Sequence, residues 1–188
     1  MYRVGVLLLA GFGGMFCANA APLSFQLADS SYVLLRWQMI GKSDYHARIT
    51  GLQGDIVVDP DHDVADRLRV DMPIAQLDAH HRVLTWALKS HQFFDQANYP
   101  AVTFTSSRII DMGEGRYRVL GSLKIKQITR PVMLYGKRSD DSRLVSSGGY
   151  LRLSGTITLS RQAFGMGQYP ALVADPINVE IVLIATTP

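Results

Sequence analysis

Apolar and polar residues alternate along most of this chain, and this two-residue period sets narrow limits on the fold. In the run nearest the carboxyl end, the apolar residues that share one face are Ile177, Val179, Ile181 and Leu183. Successive side chains of a β-strand point to opposite faces, so the pattern predicts strands with one buried face and one solvated face. Such strands are typical of antiparallel sheets.

Eight runs of this kind, separated by turn residues, lie near residues 33–40, 55–58, 67–74, 102–106, 117–126, 131–137, 151–160 and 177–183. Strands in this number with little helix form an antiparallel barrel or a sandwich. The strand lengths favour a barrel, because closing the sheet removes its exposed edges. We therefore predict an all-β fold, an eight-stranded antiparallel barrel with one short helix. Side chains nearly fill such a barrel, or leave room for one slender ligand.

The single helical pattern ends in a dense aromatic corner. We predict a helix from a cap at Asp78 through Lys89, because apolar residues recur there at helical spacing. The corner that follows holds Phe93, Phe94 and Tyr99. Two interpretations stay open: an ordinary hydrophobic corner, or a plug that lines the mouth of the barrel.

Residues 1–20 have the pattern of a secretory signal peptide. Arg3 supplies the positive end, an apolar stretch follows, and small residues at 18–20 provide the cleavage site. Cys17, the only cysteine of the chain, lies within this segment. We therefore expect a leader at residues 1–20 and a single barrel domain at residues 21–188.

The polar face of the strands indicates which side of the barrel faces inward. It carries more charge than a narrow lumen can pair or solvate, namely Arg67, Arg69, Asp71, Arg118, Lys124, Lys126 and Arg152. An outer-membrane barrel would turn its apolar face toward lipid and show aromatic girdles, which this chain lacks. We expect the apolar face inside. The formal net charge of +3, without a basic run, does not indicate nucleic-acid binding.

Sequence patterns for metal binding and catalysis are weak or absent. The aspartates at 59, 61 and 63 resemble the start of a calcium loop, but Val64 and Val70 stand where glycine and glutamate are required. The histidines at 80, 81 and 91 lack ligand spacing and a cysteine partner. The chain has no nucleophile motif and no phosphate-binding glycine loop. We expect a protein that is not an enzyme and needs no metal or cofactor.

Three segments together resemble the YceI-like, polyisoprenoid-binding family. They are FFDQANYPAVTFTS from Phe93, YRVLGSLKIKQITRPVML from Tyr117 and TLSRQAFGM from Thr158. Their order and spacing are similar to the family over nearly all of residues 23–185. The resemblance implies an extended lipocalin-like barrel whose interior holds a long isoprenoid or another amphiphilic chain. It also implies a periplasmic location, which agrees with the predicted leader.

The resemblance suggests ligand contacts in the barrel interior and near its opening. We predict as contacts Val70, Met72, Trp86, Phe93, Phe94, Phe104, Val119, Leu123, Ile157, Leu159 and Phe164. The alternative is that these same side chains fill the interior. Arg82, His91 or Arg161 would meet a polar head group, although Arg161 is equally suited to hold the adjacent loop.

The favoured function is a periplasmic carrier that sequesters an isoprenoid, an isoprenoid quinone or a similar amphiphilic lipid. Two alternatives stay open: a stress-related structural or partner-binding barrel with a filled interior, and an enzyme that acts on a lipid. A transient contact with a membrane surface is a further partner interaction that we expect. The oligomeric state stays open.

Overall fold

The computed structural model describes residues 21–40, 43–59, 66–145 and 147–188. Within them the strands are β1 (Leu23–Leu27), β2 (Tyr32–Met39), β3 (Ser43–Ile49), β4 (Gln53–Val58), β5 (Arg67–Pro73), β6 (Leu77–Asp78), β7 (Ala101–Asp111), β8 (Arg116–Ile125), β9 (Ile128–Arg138), β10 (Tyr150–Ser160) and β11 (Pro176–Thr186). The helix α1 spans Arg82–Lys89, and short 3-10 turns lie at Ile74–Gln76 and Gln162–Phe164. The predicted leader with Cys17, and most of the aspartate-rich turn at 59–63, lie outside the described residues.

The strand segments close into a barrel of eight strands, as predicted. β1 and β2 are two segments of one kinked strand, and so are β3 with β4 and β5 with β6. The order around the ring is β1/β2, β4/β3, β5/β6, β7, β8, β9, β10 and β11. β11 then pairs with both β1 and β2, which closes the ring. The pairings between the described strands are antiparallel, since the chain reverses direction from each strand to the strand beside it.

A buried serine stabilises the kink between β1 and β2. The Ser31 hydroxyl accepts the N–H of Ile184 at 2.9 Å and donates to the carbonyl of Ile184 at 3.0 Å. The N–H of Ala28 donates to the same carbonyl at 2.7 Å. The Ser31 side chain therefore replaces backbone partners that the kink removes, and Ser31 is fully buried without an unpaired hydroxyl.

The apolar face of the strands points toward the barrel axis. On β5, Leu68, Val70 and Met72 are buried, whereas Arg67 and Arg69 are exposed. Burial thus alternates with the same period as the sequence, which confirms the predicted apolar interior. The side chains of Arg67 and Arg69 face outward, where water solvates them.

The helix begins later than predicted. His81 caps α1, since its ring accepts the N–H of Leu84 at 3.4 Å. Asp78, the predicted cap, belongs to β6, and its carboxylate accepts the N–H of His80 at 2.9 Å. The prediction was wrong here because the chain turns at His80, where φ is 55°, before the helix starts. No helix within the described residues has the length and apolarity needed to span a membrane.

The hairpin between β7 and β8 turns where the sequence predicted. Gly113, Glu114 and Gly115 have φ values of 80°, 55° and 67°, a region that glycine enters at little cost. β9 starts earlier than its predicted first residue, Pro131, because its ladder with β8 extends back to Ile128.

Candidate functional site

An apolar cavity of about 350 Å³ lies in the half of the barrel that contains β2 and α1. Among the described residues that line it, those with a hydroxyl or a charged group on the side chain are Ser160, Arg161 and Tyr169. The volume falls within the range of roughly 300–1,000 Å³ that small-molecule sites occupy. A wall with so few polar groups offers water few hydrogen bonds, so the cavity favours an apolar occupant.

Paired strands build one side of the cavity wall. Val70 of β5 lies opposite Phe104 of β7, and Phe104 lies opposite Leu123 of β8. Residues that face each other across antiparallel strands point to the same side of the sheet. The three side chains therefore form a continuous apolar row, and each is at least nine-tenths buried.

Phe104 fits into this row because Gly121, two residues before Leu123 on β8, has no side chain. A Cβ atom placed on Gly121 would lie 2.6 Å from Cζ of Phe104 and 2.5 Å from the carbonyl oxygen of Thr105. The Phe104 ring thus packs against bare backbone. A side chain at position 121 would push the ring toward the axis and into the cavity.

The barrel wall is only partly hydrogen-bonded between β9 and β10. Each strand has eleven residues, but they form four residue pairs, the last of which joins Thr156 to Tyr135. Beyond this pair Val132 of β9 and Ile157 and Leu159 of β10 still line the cavity. Side-chain packing rather than a backbone ladder closes the wall here.

The 3-10 turn after β10 lies beside β9, where Arg130 donates to the carbonyl of Ala163, and Arg161 anchors the loop that follows this turn. Arg161 is 4% exposed, and its guanidinium donates to four backbone carbonyls, those of Met166, Gln168, Val173 and Ala174. No ion pair holds it among the described residues. Of the two roles predicted for Arg161, its contacts support the anchoring of the loop.

α1 and the loop at 165–174 border the open end of the cavity. Leu84 and Leu88 of α1 line it from one side, and Tyr169 and Leu172 line it from the other. The hydroxyl of Tyr169 donates to Oε1 of Gln92 at 3.1 Å and joins the loop to the segment after α1. Because Tyr169 and Leu172 are each nearly half exposed, the cavity reaches the protein surface here.

A smaller cavity of about 90 Å³ lies in the other half of the barrel. The side chains that line both cavities are Leu68, Leu134, Ile181 and Leu183. They form a partition across the barrel, so that the two cavities lie end to end along its axis.

The model of the YceI-like domain family matches residues 26–185 of this chain. The chain belongs to the YceI-like family. A UPF0312 protein of Vibrio vulnificus (strain YJ016) is 26% identical over 120 residues, which cover 63% of this chain and 64% of that protein. The chain thus matches just under two thirds of the length of this relative.

Two solved structures share the YceI-like barrel. BcnA of Burkholderia cenocepacia has a TM-score of 0.74 and 22% identity, and the match covers 83% of this chain and 96% of BcnA. A polyisoprenoid binding domain from Saccharophagus degradans, implicated in plant cell wall breakdown, has a TM-score of 0.66 and 12% identity, with 89% and 100% covered. At these identities the likeness shows a common fold.

The YceI-like barrel brings nine of the eleven predicted contacts together around the large cavity. They are Val70, Met72, Phe93, Phe94, Phe104, Leu123, Ile157, Leu159 and Phe164. The presence of Phe93 and Phe94 agrees with the interpretation that the aromatic corner lines the mouth. Val119 faces the small cavity instead.

Trp86, predicted to contact the ligand near the opening, does not line the large cavity. It is 74% exposed, because at about 100° per residue it projects from the side of α1 opposite Leu84 and Leu88. Arg82 and His91, predicted to meet a head group, are exposed as well and do not line the cavity.

β2 and β11 supply cavity residues that were not among the predicted contacts. Leu35 and Trp37 of β2 line the wall beside Val179 of β11, and Leu35 lies opposite Val179. The alternating pattern that marked β5 and β7 also marks these strands, so a signal was present. It could not show that β2 and β11 become neighbours when the ring closes.

Two carboxyl groups with lowered pKa values lie outside the cavity. The pKa of Asp175 is lowered by the N–H of Gln162 and then by the Ser160 hydroxyl, with a contribution from the charge of Arg161. The pKa of Asp78 is lowered chiefly by the N–H of His80.

The described part of the chain has no group of three His, Cys, Asp or Glu side chains that would hold a metal ion. The surface that the cavity presents to a ligand is therefore mainly apolar.

Proposed function

We propose that this YceI-like protein binds an isoprenoid, an isoprenoid quinone or a similar amphiphilic lipid inside its barrel and carries it in the periplasm. The observation that supports this most is the apolar cavity with an open end. The description of the Saccharophagus degradans relative as a polyisoprenoid binding domain supports the ligand class. The predicted leader supports the location.

Burial of an apolar chain supplies the binding energy in this proposal. Removing a methylene from water contributes about 0.8 kcal/mol, so each five-carbon isoprene unit contributes on the order of 3 kcal/mol before the costs of association. Buried wall residues such as Val70, Phe104 and Val179 are already in place, so little side-chain entropy is lost on binding. A few isoprene units are then enough for tight capture.

The size of the cavity favours a binding protein over a barrel with a filled interior. Packed protein interiors contain few voids larger than a water molecule. The cavity has about 350 Å³, whereas one water occupies roughly 30 Å³ of the liquid. A void of this size loses packing contacts along its whole lining unless a ligand occupies it.

Extraction of the purified protein with organic solvent, followed by mass spectrometry, tests the proposal. We expect an isoprenoid or a similar lipid in the extract, or uptake of one when the protein is mixed with isoprenoids of graded length. If the wild-type protein carries no extractable lipid and gains none on mixing, the proposed function is wrong.

A matched pair of variants locates the ligand. Ile157→Trp places a large ring in the cavity wall, whereas Thr156→Trp places the same ring on the outer face of β10. The ring at 157 displaces roughly one isoprene unit, which costs about a hundredfold in Kd. We expect the variant at 156 to bind like wild type. Equal affinity of the two variants would place the ligand outside this cavity.

A further inference from the structure

The outer side of α1 carries large apolar side chains that the cavity does not use. Val83 is 68% exposed and Trp86 is 74% exposed. The opposite side of the same helix, with Leu84 and Leu88, lines the cavity. The barrel therefore covers one apolar side of α1, and the other apolar side is left to contact solvent or a partner.

Three more exposed apolar side chains lie at the rim of the cavity. Ile40 is 66% exposed and its N–H donates to the carbonyl of Leu172 at 3.0 Å, and Tyr169 lies on the same loop as Leu172. With Val83 and Trp86 they are five of the ten large apolar side chains that are exposed within the described residues. We call these five residues the mouth face.

Basic side chains border the mouth face. Arg82 and Lys89 stand four residues before and three residues after Trp86, so the three side chains project from one side of α1. Neither Arg82 nor Lys89 forms an ion pair among the described residues. The ammonium group of Lys89 donates to the carbonyl of Ala75 at 2.8 Å, so Arg82 is the cation that is freer to meet a head group. Asp78 is the acidic residue of this surface, and its carboxylate lies 3.6 Å from the ring of His80 and accepts the N–H of that residue.

This combination fits the surface of a lipid bilayer that contains anionic lipids. Tryptophan and tyrosine concentrate at the level of the head groups, because one end of each ring system is apolar and the other is polar. Lysine and arginine beside them attract anionic head groups, and apolar insertion together with charge attraction is what holds a protein at an interface. The excess of basic over acidic groups around Trp86 is complementary to that surface.

We propose that the mouth face docks on anionic bilayers, with Trp86 inserted among the head groups. The inference rests on the proposed function, because docking places the open end of the cavity against the bilayer. The hydrophobic chain of a ligand then moves between bilayer and barrel without crossing water. Docking itself is a separate property of the surface and is measured separately.

Vesicle binding of the purified protein tests this inference. Vesicles of phosphatidylglycerol and phosphatidylcholine in equal amounts are compared with vesicles of phosphatidylcholine alone, by cosedimentation and by tryptophan fluorescence. Of the two tryptophans, Trp37 is 7% exposed and Trp86 is 74% exposed, so a change in quenching by acrylamide reports mainly on Trp86. We expect binding to the anionic vesicles, protection of Trp86 from the quencher, and weaker binding as salt is added.

Four variants separate the mouth face from the rest of the surface. Arg82→Gln removes one cation near the bilayer and lowers the partition coefficient about fivefold, and Trp86→Ala lowers it at least as much. Met112→Ala, at the turn after β7, and Lys137→Gln, on the outside of β9, are the matched controls. We expect both controls to bind like wild type. Equal binding of the Trp86 and Met112 variants would overturn the inference, as would equal binding of both vesicle types.

The lipid content of the same proteins distinguishes failure of docking from failure of the proposed function. Trp86 does not line the cavity, so Trp86→Ala takes up as much isoprenoid as wild type when protein and isoprenoid are mixed without vesicles, while it loses vesicle binding. Normal vesicle binding by a protein that never contains lipid contradicts the proposed function and leaves the docking inference standing. Two results together would show that the mouth face joins two copies of the chain instead. Wild type would not bind vesicles, and Trp86→Ala would have a smaller mass in solution than wild type. These results would overturn docking.

Discussion

Replacement of Gly121 by alanine tests whether the position of Phe104 sets both the stability of the barrel and the volume of its cavity. The new Cβ atom would lie 2.5 Å from the carbonyl oxygen of Thr105 and 2.6 Å from the Phe104 ring, closer than the 3.0 Å that Cβ atoms in proteins respect. The Phe104 ring can turn away from the new atom, but the carbonyl belongs to the β7–β8 ladder, so the backbone of this ladder has to shift as well. Overpacking of this kind costs about 1–3 kcal/mol.

Gly136→Ala on the neighbouring strand β9 is the matched control. The nearest atom to its new Cβ is the carbonyl oxygen of Ser154 at 3.6 Å, an ordinary contact. Neither Gly121 nor Gly136 has a positive φ, so the φ angle of an alanine is unstrained at both positions. Gly136→Ala should therefore stabilise the protein by about 0.4–1 kcal/mol, because alanine lowers the entropy of the unfolded chain. That entropy gain is common to both variants, so their difference measures the overpacking cost.

Urea unfolding followed by circular dichroism measures the difference between the two variants. We expect the free energy of unfolding of Gly121→Ala to lie about 1–3 kcal/mol below that of Gly136→Ala, at an unchanged m-value. In a domain of this size that corresponds to roughly 2–4 °C in Tm per kcal/mol. The displaced ring should also reduce the amount of bound lipid. Equal stability of the two variants, with equal lipid content, would refute the account of Phe104.

Three further predictions follow from single side chains. Arg161→Met leaves four backbone carbonyls without this donor. Each buried group left unpaired costs about 1–3 kcal/mol, so we expect a loss of at least about 3 kcal/mol in urea unfolding and faster proteolysis within 165–174; a loss below about 1 kcal/mol would contradict the anchoring role. Phe25→Ala empties a fully buried site outside the large cavity, and should cost about 3–5 kcal/mol while the lipid content stays unchanged. Asp175 has a pKa lowered below 3.8 in the folded protein, so its stabilisation is present at neutral pH and is lost as the pH falls through the folded-state pKa. The stability advantage of wild type over Asp175→Asn should therefore shrink on acidification below about pH 4, and an advantage that is constant down to pH 2 would refute this.

The sequence predicted which side chains of a strand point inward, but it did not predict every strand. On β5 the alternation of Leu68, Val70 and Met72 with charged residues assigned each side chain to the inside or the outside, and the structure agrees. β3 was missed, because its sequence SDYHARI carries only a short apolar signal at Ala47 and Ile49. Those two residues are nearly fully buried, since pairing with β2 brings β3 into the ring. Partner strands can thus impose a conformation that local preference does not indicate.

For the helix as well, the sequence pattern gave its position, and tertiary packing decided which of its sides is buried. Its pattern located α1 to within a few residues, but apolar side chains occur on both of its sides, at Leu84 and Leu88 and at Val83 and Trp86. The sequence therefore did not show which side faces the barrel. Docking of the helix against the cavity rim decided it, and Trp86 was left outside.

The sequence alone determined most of the strands and which of their faces is apolar, because the period of two is a local property that each strand expresses by itself. It favoured a barrel over a sandwich, and the pairing of β11 with β1 and β2 decided that the sheet closes. Only the tertiary structure decided that the interior is partly empty. Cavity volume is a small difference between the space that the closed ring encloses and the summed volume of the side chains within it. That difference depends on contacts between distant segments, such as Phe104 against Gly121 and the loop that Arg161 holds beside β2. No local pattern encodes such contacts, so the space for a ligand appears only when the ring has closed.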